Sequence, residues 1–136
     1  MNIEFKTDKQ IQMSDLITLY NSVGWNAYTT DPYALNQAII NSTDVITAWQ
    51  NNKLIGLIRA VGDKQTILYI QDILVDPNFQ NQGIGKKLMH QILDKHKNIR
   101  QKLLLTENTS QTTSFYKKQG FVDTQKLNLI SFYREH

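Results

Sequence analysis

The sequence predicts an α+β fold in which about four helices flank one mixed, mostly antiparallel sheet. Short apolar runs of strand length alternate along the chain with amphipathic segments of helix length. A pair of asparagines joins two of the strand-like runs in the manner of a tight hairpin. The chain has 136 residues, 40% of them hydrophobic, and can bury a core of its own, so one domain over residues 1–136 is expected.

Two helices are expected after a short edge strand at residues 3–5. Ser14 is the expected N-cap of the first helix, and Asp31 caps the second, with Pro32 at its first helical position. The segment 24–30 between them is expected to be a loop. The side chains expected to face inward from the two helices are Leu16, Ile17, Leu19, Tyr20, Leu35, Ala38 and Ile39.

An antiparallel meander is expected next. Its strands are predicted at residues 45–49, 54–60 and 67–75. Asn51 and Asn52 tolerate the positive φ angles of a two-residue hairpin turn, and Gly62 with Asp63 turns the chain into the third strand.

Helices and strands alternate in the remaining third of the chain. The predictions are a helix from residue 83 to about 97, a strand at 103–105, a helix at 108–119, and strands at 121–123 and 127–133. Asn108 and Gln111 are spaced as a capping pair for the second of these helices. The last strand is an edge at which a second copy of the chain can pair, so a homodimer is left open.

The run ILYIQDILVDPNFQNQGIGKK, beginning at Ile67, carries most of the functional information. A strand that feeds a glycine turn and then a helix directs several backbone N–H groups, and the positive end of the helix dipole, at one spot. Gly83 and Gly85 allow close approach of a ligand, and Lys86 and Lys87 add positive charge in the first helical turn. The pattern indicates a phosphate site, although an ordinary tight turn with solvated lysines can have the same sequence pattern.

Two other glycine-rich phosphate motifs do not fit. The Walker motif needs a Ser or Thr after its lysine, whereas Lys86 is followed by Lys87. A dinucleotide-binding fold needs repeated strand–helix units after its glycines, and only about 50 residues follow Gly85.

Composition excludes several classes of function. The absence of cysteine removes disulfides, thiolate nucleophiles and cysteine zinc sites, and the three histidines lack metal-ligand spacing, so no metal is expected. A net charge of +3 suits an anionic ligand, but the basic residues are too scattered for nucleic acid. Neither a leader nor a membrane-spanning run of about 20 residues is found, so a cytoplasmic protein without a membrane partner is expected.

A second motif, SFYKKQGF at residues 114–121, places a short helix before a glycine and then an apolar residue. Together with VDPNFQNQGIG, in this order and spacing, it resembles the GCN5-related N-acetyltransferase (GNAT) family. The resemblance implies acetyl-CoA as cosubstrate and a splayed sheet whose open edge pairs with the pantetheine arm. It also implies that a backbone N–H near Leu74 polarises the thioester carbonyl. The cofactor-binding residues implied are Ile73, Leu74, Val75, Gln80, Asn81, Gln82, Gly83, Ile84, Gly85, Lys86 and Asn108.

Catalytic roles follow in part from the same resemblance. Tyr116 matches the family tyrosine that protonates the departing thiolate or at least donates a hydrogen bond to the CoA sulfur; core packing beside Phe115 is the structural alternative. The glutamate base of the histone-acetylating branch aligns with Tyr69, so that assignment does not transfer. Asp72 is the only acid within its strand, and it either accepts the amine proton or pairs with Arg59. The residues leave these two roles open.

The acceptor is expected to contact the segment 24–30. Trp25 and Tyr28 either wall a pocket for an aryl or alkyl amine or form a lid packed on the first helix, and Arg59 is included with them as substrate-binding. The fragments VGW and LIGLIRAVGD, with both motifs, are similar to small bacterial members and to the plastid serotonin N-acetyltransferase branch. This similarity implies a small, arylalkylamine-type acceptor. The alternatives are acetylation of protein lysines or N-termini, and a non-catalytic acyl-CoA-binding module.

Overall fold

A five-stranded sheet organises residues 2–105, the first of two units in the computed structural model, which describes residues 2–136. The strands lie across the sheet in chain order: β1 (Glu4–Lys6), β2 (Asp44–Gln50), β3 (Lys53–Gly62), β4 (Ile67–Val75) and β5 (Gln101–Leu104). Neighbouring strands are antiparallel except β4 and β5, which are parallel. The predicted α+β fold with a mostly antiparallel sheet is confirmed.

Four helices accompany the sheet within residues 2–105: α1 (Met13–Ser22), α2 (Asn26–Thr29), α3 (Pro32–Ile40) and α4 (Ile84–Lys95). Asp31 caps α3 as predicted, because its carboxylate accepts the N–H of Ala34 at 3.1 Å. The prediction that Ser14 caps α1 is wrong. The helix begins at Met13 with Gln12 as its N-cap, two residues earlier than predicted, and the Ser14 carbonyl accepts a hydrogen bond from the Thr18 hydroxyl within the first turns.

The segment between the first two predicted helices is not a loop throughout, because α2 forms one helical turn within it. That turn holds no fully buried residue and no side-chain cap, so its sequence carries little helical signal. The other predictions for this half of the chain are close. The hairpin turn between β2 and β3 has φ angles of 49° at Asn51 and 65° at Asn52, as expected for such a pair.

The core of this unit has two layers, one on each face of the sheet. Helices α1 and α3 bury apolar side chains on one face, together with Leu57 and Leu74 of the central strands. Helix α4 contacts β2, β3 and β4 on the other face. A Cβ at Gly56 would lie 3.3 Å from Ile84 and Leu88, so a residue without a side chain lets α4 lie this close to the sheet.

Two polar contacts of Asp44 fix the end of α4. Asp44, 4% exposed, accepts Lys95 Nζ at 3.1 Å and lies 2.8 Å from His96 Nε2. Lys95 is the last residue of α4, so the contacts join the helix end to the start of β2.

The second unit, residues 106–136, contains α5 (Ser110–Lys118) and a short 3-10 turn at Thr124–Leu127. The expected capping pair is wrong. Thr109 caps α5, and its side chain and that of Thr112 form a reciprocal capping box in place of Asn108 and Gln111.

The two C-terminal strands predicted at 121–123 and 127–133 do not form. Asp123 accepts the N–H of Gln125 at 3.0 Å, and Asn128 adopts a left-handed conformation with φ 59°. These residues close the 3-10 turn, and within residues 106–136 no strand pairs with the segment that follows it. Phe132 is 90% exposed and Ile130 67% exposed.

Candidate active site

Strand β4 has an open edge beyond its midpoint. β5 pairs with β4 only from Ile67 to Ile70, opposite Gln101 to Leu104. From Gln71 to Val75 the only strand that pairs with β4 within residues 2–105 is β3. The splayed sheet that the resemblance implies is therefore confirmed, and within residues 2–105 no second strand covers this edge of β4.

The chain leaves β4 through a fixed turn. The Asp76 N–H donates to the Ile55 carbonyl at 2.8 Å, and the Asp76 carboxylate accepts the Asn78 N–H at 2.9 Å. Lys53 Nζ lies 3.4 Å from the same carboxylate and 5.5 Å from the centre of the Phe79 ring. These contacts join the loop between β4 and α4 to the β2–β3 hairpin.

Helix α4 follows the loop at residues 76–82, and no protein side chain caps its N-terminus. Gly83 is the N-cap, with φ 80°, and no side chain of residues 2–136 caps the helix. The Lys87 N–H bonds the Gly83 carbonyl at 3.0 Å, but the N–H groups of the preceding turn make no hydrogen bond within the described chain. No acid lies in this first turn, and Lys86 and Lys87 are exposed. The arrangement provides free donors and positive charge for a phosphate.

The predicted cofactor-binding residues fall on three consecutive features. Ile73, Leu74 and Val75 lie on the open edge of β4; Gln80, Asn81 and Gln82 form the loop; and Gly83, Ile84, Gly85 and Lys86 begin α4. The Gln80 side chain donates to the Val75 carbonyl at 3.1 Å, so it fastens the loop to the strand. Asn108 lies in the second unit, one residue before the N-cap of α5.

A buried polar network surrounds Asp72, which is 3% exposed. Its Oδ2 accepts Arg59 Nε at 2.6 Å and the Tyr20 hydroxyl at 3.0 Å. Its Oδ1 accepts the Tyr28 hydroxyl at 2.7 Å. The pairing with Arg59, one of the two alternatives that the sequence left open, is present. Whether Asp72 also accepts a proton stays a prediction.

The network shifts the pKa values of its members. Burial, and secondly the negative charge of Asp72, raises the pKa of Tyr20 far above 10 and raises that of Tyr28 as well. Burial works against the positive charge of Arg59, but attraction to Asp72 outweighs it and raises the pKa of Arg59. At neutral pH both tyrosines are therefore hydrogen-bond donors and Arg59 is charged.

Trp25 and Tyr28 both pack against the core. Their rings lie 6.0 Å and 5.0 Å from the Tyr20 ring in edge-on contacts, and 6.3 Å from each other. Trp25 and Tyr28 therefore form a lid packed on the first helix, which is one of the two alternatives. Both side chains remain partly exposed, so a pocket wall stays a prediction.

Sequence reasoning missed Tyr20 as a member of this site. It was assigned only to the apolar stripe of α1, and it is fully buried as predicted. The hydroxyl of Tyr20 could have predicted its place in the network. A buried tyrosine hydroxyl usually has a polar partner, and Asp72 is the only acid within the central strand.

Tyr116 lies in the second unit, on α5. Its ring makes edge-on contacts with Phe115 at 5.1 Å and Phe121 at 6.1 Å. Burial raises the pKa of Tyr116, with the Thr106 side chain acting in the opposite direction. Its hydroxyl is therefore protonated at neutral pH.

Comparison with known proteins decides the family. The profile described as Acetyltransferase (GNAT) domain matches residues 16–129. The chain belongs to the GNAT acetyltransferase family. The uncharacterized N-acetyltransferase ycf52 of Pyropia yezoensis is 32% identical over 129 residues, which cover 88% of this chain and 73% of that protein.

Solved structures agree with this assignment. The GNAT family protein SP0256 from Streptococcus pneumoniae has a TM-score of 0.88 and 31% identity, covering 99% of this chain and 98% of that one. AAC(6')-Iy, in complex with a CoA bisubstrate analog, has a TM-score of 0.71 and 18% identity, covering 100% and 99% of the two chains. The second likeness shows the fold alone.

Membership of the GNAT family makes this chain an acetyltransferase with acetyl-CoA as its acyl donor. The residues present suit that donor, because the uncapped start of α4 offers N–H groups to phosphates and the edge of β4 offers backbone groups to an extended arm. None of the helices in residues 2–136 has the length and apolar character that a membrane span requires.

Proposed function

We propose that this GNAT enzyme transfers the acetyl group of acetyl-CoA directly to the primary amine of a small molecule, with arylalkylamines as the acceptor class. The observation that carries the proposal is the open edge of β4 running into the uncapped N-terminus of α4. A thioester arm and its phosphates need both features in that order along the chain.

The proposed reaction has no covalent enzyme intermediate. The neutral amine nitrogen attacks the thioester carbonyl carbon, and a tetrahedral oxyanion forms. We assign its stabilisation to a backbone N–H near Leu74, on the open edge. When the carbon–sulfur bond breaks, the thiolate takes one proton and the amine nitrogen loses one. The family resemblance assigns the first proton to Tyr116, whose hydroxyl still carries its proton at neutral pH.

The fate of the amine proton distinguishes two roles for Asp72. As a base, Asp72 would accept it directly or through water. The Asp72 carboxylate accepts hydrogen bonds from Arg59 Nε at 2.6 Å and from two tyrosine hydroxyls, so both of its oxygens are already occupied by protein donors. The contacts therefore support a positioning role, and the base role is the competing proposal.

Aromatic side chains support the choice of acceptor. Trp25 and Tyr28 are partly exposed beside the buried network, where they offer apolar surface to an aryl group. Acetylation of protein lysines or N-termini is the alternative acceptor class, and a non-catalytic acyl-CoA-binding module is the alternative without turnover.

One experiment separates these proposals. Calorimetric titration with CoA and acetyl-CoA measures binding, and a panel of arylalkylamines, polyamines and lysine peptides with thiol detection measures turnover. We expect micromolar binding and release of CoA with arylalkylamines. Turnover with lysine peptides alone would overturn the acceptor class, and binding without turnover on any amine would overturn catalysis.

Tyr116→Phe tests the acid. We expect it to lower kcat by about 10²-fold, the lower range for general acid catalysis, and to leave acetyl-CoA affinity unchanged. A variant with wild-type kcat would remove Tyr116 from the mechanism.

The state of assembly and the location of the enzyme also stay proposals. Apolar residues exposed between Leu127 and Tyr133 support a homodimer, which sedimentation velocity tests. A cytoplasmic location is our expectation from the sequence.

A further inference from the structure

Helix α2 is short, and one hydroxyl holds it to the sheet. The helix has four residues, no buried residue and no side-chain cap. The Tyr28 hydroxyl donates to Asp72 Oδ1 at 2.7 Å and accepts from Gln71 Nε2 at 3.2 Å. Arg59 Nη2 lies 3.4 Å from the same oxygen. Three residues of β3 and β4 thus converge on a single atom of α2.

A bulge in β4 makes this convergence possible. In the register with β3, Arg59 pairs with Asp72 and the next residue, Ala60, pairs with Ile70, so Gln71 has no partner. Neighbouring residues of a regular strand point to opposite faces, but the side chains of Gln71 and Asp72 both reach Tyr28. The bulge therefore turns two consecutive polar side chains toward α2.

The bulge also marks the place where the sheet opens. Pairing between β4 and β5 ends at Ile70, the residue before Gln71. The contact that fixes α2 and the start of the open edge are therefore adjacent on one strand. Asp72 itself is committed on both oxygens, to Arg59 and Tyr20 on Oδ2 and to Tyr28 on Oδ1.

We propose that Tyr28 is a positioning residue for the acceptor, and that its hydroxyl latches α2 to the β4 bulge. Asp72 acts on acetyl transfer through this latch rather than as a base. The latch holds Trp25 and the Tyr28 ring beside the opening of the sheet, which sets the affinity for an arylalkylamine. The inference rests on the proposed function for its kinetic part only, because the latch itself is measurable without an acceptor.

The spectroscopic test uses the two tryptophans of the chain. In a Trp49→Phe background, Trp25 is the only tryptophan and reports on the packing of α2. We expect Tyr28→Phe to increase acrylamide quenching of Trp25 about twofold or more. Tyr33→Phe is the matched control, because Tyr33 is 69% exposed on α3, and it should leave quenching unchanged. Equal quenching in Tyr28→Phe and the control overturns the latch, whatever the enzyme acetylates.

The kinetic test uses tryptamine and phenethylamine. We expect Tyr28→Phe to raise the KM for these amines about tenfold, the size expected from losing one hydrogen bond to a charged group, with kcat within about twofold. The Kd for acetyl-CoA should not change. Gln71→Leu removes the exposed partner of the same hydroxyl and should raise KM less.

Asp72→Asn separates the latch from the base. A positioning role predicts a raised amine KM, increased Trp25 quenching and a pH profile of kcat with the wild-type shape. Loss of the ascending limb of that profile, with Tyr28→Phe kinetically normal, would overturn the proposal and make Asp72 the base. Failure of every amine to react would overturn the proposed function, and the quenching result would still decide the latch.

Discussion

With Asn81, Gly83 is one of the two residues between β4 and α4 whose backbone is left-handed. Its φ of 80° is left-handed, and a Cβ built there meets no atom within 4 Å. Side-chain space is therefore not the constraint, and only the backbone conformation is.

Substitutions at Gly83 should consequently rank by their tolerance of positive φ. We expect Gly83→Val to weaken acetyl-CoA binding about tenfold and to cost roughly 1–2 kcal/mol of stability, because a β-branched residue is strained in this conformation. Gly83→Asn is the matched control and should lose only a fraction of this, since asparagine adopts left-handed conformations more readily. Calorimetric titration and urea denaturation measure the two effects. Equal affinities in the two variants would show that the left-handed turn is not required for binding.

Residue-level prediction from the sequence succeeded where one residue type had one local explanation. Asp31 caps α3 and the two asparagines turn the hairpin, because both depend only on neighbours in the chain. The Asp72 network was only half predicted. Its members come from α1, α2, β3 and β4, and a bulge at Gln71 decides which way two of them point. A sequence without its pairing register does not contain that information.

At the scale of elements, the turn after β4 is held from the side by the β2–β3 hairpin. Asp76, 5% exposed, caps the 3-10 turn at Pro77–Phe79 through the Asn78 N–H, and Lys53 pairs with the same carboxylate. The cap is buried, whereas the side chain of Lys53 is 50% exposed. The hydrogen bond should therefore matter more than the ion pair.

Three variants test this ranking. We expect Asp76→Ala to cost about 1 kcal/mol or more of stability and to weaken acetyl-CoA binding, because the loop loses its cap. Asp76→Asn keeps a carbonyl oxygen for the Asn78 N–H, and Lys53→Met removes the ion pair, with the Lys53–Phe79 contact, but keeps the cap; each should cost about 0.5 kcal/mol. Thermal unfolding and calorimetric titration measure both properties. A loss in Lys53→Met as large as that in Asp76→Ala would show that the charge, not the cap, holds the loop.

Element prediction failed where turn chemistry outweighed an apolar pattern. The segment after Asp123 has the β-branched and aromatic residues of a strand, but Asp123 and Asn128 close a 3-10 turn at its start. A strand also needs a partner, and no strand pairs with this segment within residues 106–136. The meander β2 to β4 was predicted well because its hydrogen-bond partners are neighbours in the chain.

At the scale of the whole chain, the proposed donor site is built from backbone groups, whereas the proposed acceptor site is built from side chains. The proposed donor site uses backbone groups of β4 and α4, so it depends on the fold, which SP0256 shares with a TM-score of 0.88 at 31% identity. The proposed acceptor site depends on side chains such as Trp25 and Tyr28, whose identity a backbone fold does not specify. A family can therefore be assigned from sequence more readily than an acceptor.

The buried tyrosines make the stability of the whole protein sensitive to alkaline pH. Burial raises the pKa of Tyr20 and of Tyr28 in the folded state, while unfolded tyrosine titrates near pH 10. Above that pH the folded state therefore holds more protons than the unfolded state, and the free energy of unfolding falls as pH rises. The stabilisation is complete below about pH 10 and is lost progressively above it, by up to roughly 1.4 kcal/mol per pH unit for the buried Tyr20 and by less for the partly exposed Tyr28.

Tyr20→Phe should remove the contribution of Tyr20 to this pH dependence of stability. We expect the variant to be less stable than wild type at pH 8, because Asp72 loses a hydrogen bond, but to lose stability less steeply between about pH 10 and 11.5. Tyr33→Phe, at an exposed position, controls for general effects of removing a tyrosine hydroxyl and should keep the wild-type slope. Urea denaturation across this pH range gives both slopes. If the free energy of unfolding of Tyr20→Phe and of wild type fell in parallel with pH, Tyr20 would have the same pKa in the folded and unfolded states. Its contact with Asp72 would then not raise that pKa.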